Sequence, residues 1–189
     1  LTVGDQKSFY VEEPKNGYGY NWVNATLKVA GNNIYLYMDN TASVNFTTLL
    51  DLKTAFDTKV YPNLTSTFGD IIKPGDPSGL DIDGEGPIFV LLTPMTPGLL
   101  GYYFVINQFP QSLTSQYGYV SNEKDIVFLN SDYAGNTNIY ATLTHEFMHL
   151  VHQHQRLKNN AGAETLWVSE GLAMLAQDVA GYGGEGLQY

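Results

Sequence analysis

The chain contains no cysteine. That excludes disulfide staples, cysteine-ligated zinc and a thiol nucleophile. Positive charge is scarce: nine Lys and Arg stand against nineteen Asp and Glu, for a net charge of −10. Phosphate binding needs a basic patch, so this balance argues against nucleic acid or an anionic membrane as partner. No apolar run is long enough to span a bilayer, and no G-x-S-x-G elbow offers a serine nucleophile. Internal repeats and low-complexity tracts are missing. Charged residues make up only 15% of the chain, so neutral polar groups and many of the 14 Tyr must finish the surface. The first residue is Leu1 rather than Met and no signal peptide is present, which reads as a processed or excised N-terminus.

What is present includes 43% hydrophobic residues, ample for a core, in a length expected to form one domain. The most informative segment is His145-Glu146-Phe147-Met148-His149, within ATLTHEFMHLVHQ. Residues four apart on a helix share a face, so His145 and His149 can offer two imidazoles to one Zn²⁺. Glu146 is then placed to act as general base toward a metal-activated water. The flanks predict the required helix. Ile139, Leu143, Phe147, Leu150 and Val151 recur at helical spacing, with neither Pro nor Gly from Thr137 to Leu157. Neutral residues bracket the motif, and no Lys or Arg follows until Arg156, so Glu146 lacks a cation one turn away.

A catalytic zinc site takes a third protein ligand and keeps one open position. The continuation H-x-x-G-x-x-H fails here, because His152 occupies the Gly position and Gln155 the last His position, with His154 one residue out of register. A carboxylate on a second helix fits better. Leu166, Trp167, Leu172, Leu175, Ala176 and Val179 supply apolar positions around Glu170, and Gly181 is a plausible stop. A loop from Lys158 to Ala163 would join the two helices as an antiparallel hairpin. His149 then lies about 12 Å and Glu170 about 9 Å from the turn, so one ion can bridge them. Glu164, the other carboxylate, sits too near the turn and suits a helix N-terminus instead.

HEFMH followed by WVSEGLAM resembles the gluzincin clan of zinc metallopeptidases, and the wider pattern is most similar to hyicolysin-type secreted bacterial proteases. The resemblance implies His145, His149 and Glu170 as zinc ligands, Glu146 as general base, peptide or protein substrates, and a secreted, extracellular setting. It also implies an α+β fold. A sheet-rich N-terminal lobe (1–133) would pack on the zinc-binding helices (134–189), with a C-terminal lobe missing or reduced. Two departures stand out. Met174 occupies the place of an Asp that orients a ligand His in such enzymes, leaving Asp178, Asn138 or a backbone carbonyl for that task. No His follows Glu170, so Tyr182 or Tyr189 is left as oxyanion donor. In these enzymes an extended peptide adds to an edge strand, which Ser121 and Asn122 would line here.

Other segments carry weaker signals. Asn33–Asp39, Pro87–Thr93, Tyr102–Ile106 and Asp125–Asn130 are expected as strands, with further strands of uncertain pairing between Gly4 and Leu27. Ser43–Val60 reads as a helix capped by Ser43 or Asn45 and ended by Pro62. Asp81, Asp83 and Glu85 in DIDGEG suggest either a Ca²⁺ site completed by distant residues or an acidic turn, the latter favoured. With Asp70 and Asp76 they form an acidic patch. His152 and His154 are expected at the surface or behind the ligands. The leading functional class is a zinc endopeptidase. The alternatives are a zinc aminopeptidase and a non-catalytic zinc-bearing binding or adhesion module.

Overall fold

The computed structural model describes residues 1–12 and 21–184. They form a mixed α+β structure around one curled six-stranded sheet, in the order β1-β2-β3-β4-β6-β5. The strands are β1 Gln6–Val11, β2 Asn21–Ala30, β3 Ile34–Asp39, β4 Ile88–Thr93, β5 Gly101–Tyr103 and β6 Ile126–Asn130. β3, β4 and β6 run parallel, while β1, β2 and β5 are antiparallel to their neighbours. Every residue of β4 and β6 is buried, as central strands require. Their side chains divide with a period of two. Ile88, Val90, Leu92, Val127 and Leu129 face the helices, and Phe89, Leu91, Ile126 and Phe128 fill the concave side. Curling brings the two edges together, and the Tyr102 hydroxyl of β5 accepts the Glu12 amide beyond β1 at 3.1 Å.

The helix expected over 43–60 is longer and more irregular than its sequence suggests. α1 (Phe46–Ala55) is capped by Asn45, whose Oδ1 accepts the Thr47 amide at 2.9 Å. A π-helical turn over Phe56–Val60 follows, and the chain continues into α2 (Tyr61–Phe68). Pro62 therefore does not end the helix. It lies in the first turn of α2, where its missing N–H costs little. The turn seats Phe56 edge-on against Phe147 at 4.8 Å, with Tyr61 stacked on the same ring at 5.7 Å. A residue inside the histidine motif is thus an anchor of the helical core.

α3 (Gln111–Thr114) lies between β5 and β6, and α4 (Asn138–Lys158) and α5 (Leu166–Ala180) form an antiparallel hairpin over the sheet. Leu143, Phe147, Leu150, Val151 and His154 make the buried stripe of α4. On α5 the buried positions are Ala173, Ala176 and Ala180, not the larger residues. Small side chains there let α5 approach α4, and Gln177 reaches the Ala141 carbonyl at 3.1 Å. Leu166, Trp167 and Leu175, expected on the packed face, are exposed. Gly181 closes α5 in the left-handed region, φ 78°, as its position suggested. No helix among the described residues is long and apolar enough to cross a membrane.

Candidate metal centre

α4 carries His145 and His149 one turn apart, and the hairpin sets Glu170 of α5 opposite them. His145 Nε2 lies 3.1 Å from Glu170 Oε2, and His149 Nε2 lies 3.5 Å from Glu170 Oε1. One ligand atom from each of the three residues falls within 4.8 Å of the others. Among the described residues this is the one group of His, Asp and Glu that converges in this way. Tetrahedral zinc with bonds near 2.0–2.2 Å separates its ligand atoms by roughly 3.4 Å. The two observed separations match that spacing, and two imidazoles with one carboxylate leave a fourth position open. The residues therefore fit zinc.

The position behind His149 is filled by a residue the sequence did not suggest. His149 Nδ1 meets Ser169 Oγ at 3.0 Å, which leaves Nε2 facing Glu170. Ser169 immediately precedes Glu170, so the same turn of α5 presents the carboxylate and steadies an imidazole. Neither Asp178 nor Asn138 hydrogen-bonds to a ligand ring among the described residues. Asp178 sits two turns beyond Glu170 near Gly183, and Asn138 lies in the first turn of α4. Tyr182 is also placed elsewhere. Gly181 sends it back over α4, where it stacks on Tyr140 at 5.6 Å beneath the Lys59 ammonium, outside the cleft. Tyr189 lies outside the described residues.

The cleft above these residues encloses about 470 Å³. Glu146, His152 and Arg156 of α4 line one side, and Tyr103, Phe104 and Val105 line the other. Among the described residues β5 pairs with β6 alone, so it forms an edge of the sheet, and its Tyr103 amide meets Glu146 of α4. This edge is not where Ser121 and Asn122 lie. Ser121 Oγ donates to the Phe109 carbonyl, and Asn122 binds the Tyr10 amide and carbonyl, fastening β1 to the loop before β6. The strand expected over 102–106 stops at Tyr103 because the chain turns into a 3-10 helix over Val105–Gln108. β5 sits close to α4: a Cβ on Gly101 would lie 2.7 Å from the Phe128 carbonyl oxygen and 2.8 Å from Thr142 Cγ2. Only glycine allows that approach.

Burial dominates the electrostatics. It pushes the Glu146 carboxyl up to about 8; the neighbouring Glu170 charge adds to this, and the Tyr103 backbone amide counters it in part. Burial likewise draws His149 down to about 4, helped by His145, so its imidazole is neutral near pH 7. A neutral imidazole is the form a metal needs. Burial also lowers His152, and the Arg156 charge lowers it further.

His154 is buried rather than superficial. Its Nδ1 accepts the Ile72 amide at 2.7 Å, so its proton sits on Nε2, 3.0 Å from Asp125 Oδ1. Gln108 lies between this pair and the cleft, 2.8 Å from Asp125 and touching both His154 and the Tyr103 hydroxyl. The Tyr103 ring in turn stacks on His149 at 6.4 Å. A polar strut thus runs from the core to the cleft wall. The signal was available for His154, which continues the apolar stripe Leu143, Phe147, Leu150, Val151 at helical spacing. His154→Ala leaves the Ile72 amide unpaired in the interior and strips the Asp125 carboxylate of one of its two side-chain partners, Gln108 being the other. It is expected to destabilise the metal-free protein by about 3 kcal/mol in urea unfolding, with His154→Asn losing less.

The DIDGEG carboxylates do not gather. Asp83 accepts the Glu85 and Asp125 amides, Glu85 faces the Tyr35 hydroxyl, and Asp81 accepts the Gly84 amide. Burial raises Asp83 to about 6, and the Asp125 charge contributes. They form an acidic turn into β4. Glu164 accepts the Thr165 amide at the entrance to α5, as a charge near a helix start should. In comparisons with known proteins, the chain matches no family model and no curated protein.

Proposed function

We propose that the protein is a zinc-dependent endopeptidase of gluzincin type. His145, His149 and Glu170 hold Zn²⁺, Glu146 is the general base, and the hairpin over the sheet is a zincin-like arrangement. The observation that carries this reading is the convergence of three zinc-type donors beside a buried carboxylate, in a cleft bounded by the edge strand β5. Zinc in such a site supplies a Lewis acid and lowers the pKa of a water. The chain's own residues do the rest. Ser169 holds the His149 ring in the tautomer that presents Nε2. Glu146, as a carboxylate, would take a proton from the attacking water and return it to the departing amine. An extended peptide would lie along β5, the edge strand whose Tyr103 lines the cleft. A secreted, extracellular setting accompanies this reading by resemblance.

Endopeptidase activity is favoured over aminopeptidase activity by the charges in the cleft. Among the described residues its lining holds no carboxylate beyond Glu146 and Glu170 to anchor a free amine, and it does hold Arg156. Zinc-loaded protein should therefore cleave an internally quenched peptide blocked at both ends. The cleavage should stop on chelation and return with zinc. Turnover confined to peptides with a free N-terminus would make it an aminopeptidase. A zinc-edge anomalous peak away from the three ligands would remove the reading altogether.

A further inference from the structure

The chain has a single arginine, and it stands in the cleft. Arg156 lines that space together with His145, Glu146, His149 and Glu170. The other basic residues are lysines, several of them in ion pairs: Lys53 with Asp57, Lys73 with Asp70 and Lys158 with Asp76. Among the described residues no carboxylate lies within ion-pair distance of Arg156, although the chain carries nineteen Asp and Glu. Glu164, whose charge it senses, accepts the Thr165 amide instead.

Neutral groups hold the guanidinium in place. Nε donates to the Gly162 carbonyl at 2.9 Å, Nη2 donates to the same oxygen, and Nη1 donates to Gln153 Oε1 at 3.3 Å. A guanidinium has five N–H groups, so one on each Nη is left over. Such a pair is the fork that meets both oxygens of a carboxylate. Arg156 sits in the last turn of α4, where positive charge suits the helix dipole. The dipole asks only for charge, which Lys158 supplies in the same turn. It does not call for a planar fork lining a cleft.

Arg156 follows His149 by seven residues, about 10 Å along the helix axis, and helical side chains lean back toward the N-terminus, here toward the ligands. An extended peptide advances about 3.3 Å per residue, so the guanidinium reaches a group about two to four residues from a bond held at the metal. Burial and the Arg156 charge hold His152 below its ordinary pKa, so it is neutral near pH 7 and adds no competing charge. We propose that Arg156 is a specificity residue that binds a carboxylate of the substrate, on an Asp or Glu side chain or at the peptide's own C-terminus. This rests on the peptidase reading above and adds to it a substrate class.

Peptides blocked at both ends, with Glu or its isostere Gln at one flanking position at a time, probe the side chain. Peptides without acidic residues, ending in a free carboxylate or an amide, probe the terminus. In one of these two arms the carboxylate member should be favoured by about tenfold or more in kcat/KM, mainly through KM. Arg156→Gln should bring that ratio to within about twofold. For a side-chain carboxylate, Arg156→Glu should instead favour Lys over Gln at the same position. Cleavage with no such ratio in either arm overturns the proposal and leaves the peptidase reading intact. A ratio that survives Arg156→Gln does the same, and leaves Arg156 only the task of pinning the loop at Gly162.

A second measurement keeps Arg156 and needs no turnover. A lone arginine gives one Nε and one Cζ resonance. Zinc-loaded Glu146→Gln protein, titrated with the carboxylate peptide, should shift both. The uncharged partner at saturation should leave them in place. Equal shifts from the two peptides overturn the proposal. Shifts specific to the carboxylate, in a protein whose wild type cleaves no peptide, would remove the peptidase reading and leave a carboxylate-binding cleft.

Discussion

Glu146→Gln in the zinc-loaded protein is expected to keep the metal and lose about 10²–10⁴-fold in kcat/KM on a blocked peptide. Glu146 is not among the three converging donors, so the amide leaves them in place. What it removes is a carboxylate able to carry a proton. Unchanged turnover would defeat the assignment of the base, and loss of zinc would make the residue a ligand. The same substitution should act in the opposite direction on the metal-free protein. The folded-state value of about 8 lies above the ordinary 4.5. Between those pH values the folded protein binds more protons than the unfolded chain, so its stability falls as pH rises through the window. Glutamine does not titrate and escapes that loss. Metal-free Glu146→Gln should therefore melt roughly 5–10 °C above metal-free wild type at pH 8. The difference should vanish near pH 4.5, and equal melting temperatures across the window would show that burial does not restrain this carboxyl.

Glu170→Ala should weaken zinc binding by more than about a hundredfold, measured by competition with a chromophoric chelator. Removing even a supporting group behind a metal ligand typically costs ten- to a hundredfold, and in the proposed centre Glu170 is a direct donor. The fold should scarcely notice, because the Glu170 side chain is 45% exposed and its polar contacts are with the two histidines it faces. A melting temperature of the metal-free variant within about 2 °C of wild type would separate loss of a ligand from loss of structure. Glu164→Ala is the matching control, since that carboxylate is engaged with the Thr165 amide. Equal zinc affinity in Glu170→Ala and wild type would leave only two imidazoles on one helix, and the proposed centre would fall.

The pairing of His145 with His149 was legible because it is local. Four residues make one helical turn, and an unbroken apolar stripe without Pro or Gly announces the helix. Glu170 was reachable by one further step, since a short loop between two amphipathic helices forces an antiparallel hairpin. The strands β3, β4 and β6 were legible for a similar reason, as short apolar runs between turn residues. Pro62 misled because a proline normally breaks a helix, and nothing in the sequence announces the π turn that restarts it.

The failures share a cause. Ser169 was overlooked because a serine beside a ligand has no distinctive spacing. Tyr182 was placed near the metal on residue type alone, whereas the turn at Gly181 directs it onto Tyr140. Ser121 and Asn122 are expected at a strand edge, yet Asn122 fastens β1 to the loop before β6 across 112 residues, and Ser121 donates to the Phe109 carbonyl.

The chain by itself determined that His145 and His149 share a helix face, through helical periodicity, and the α+β character of the fold, through alternation and turns. Tertiary structure alone decided which strand borders the cleft, what steadies each imidazole, and how His154, Asp125, Gln108 and Tyr103 join core to cleft wall. Periodicity is a property of neighbouring residues. These other arrangements depend on a sheet that curls until distant segments touch, and the partners in such contacts share no pattern along the sequence.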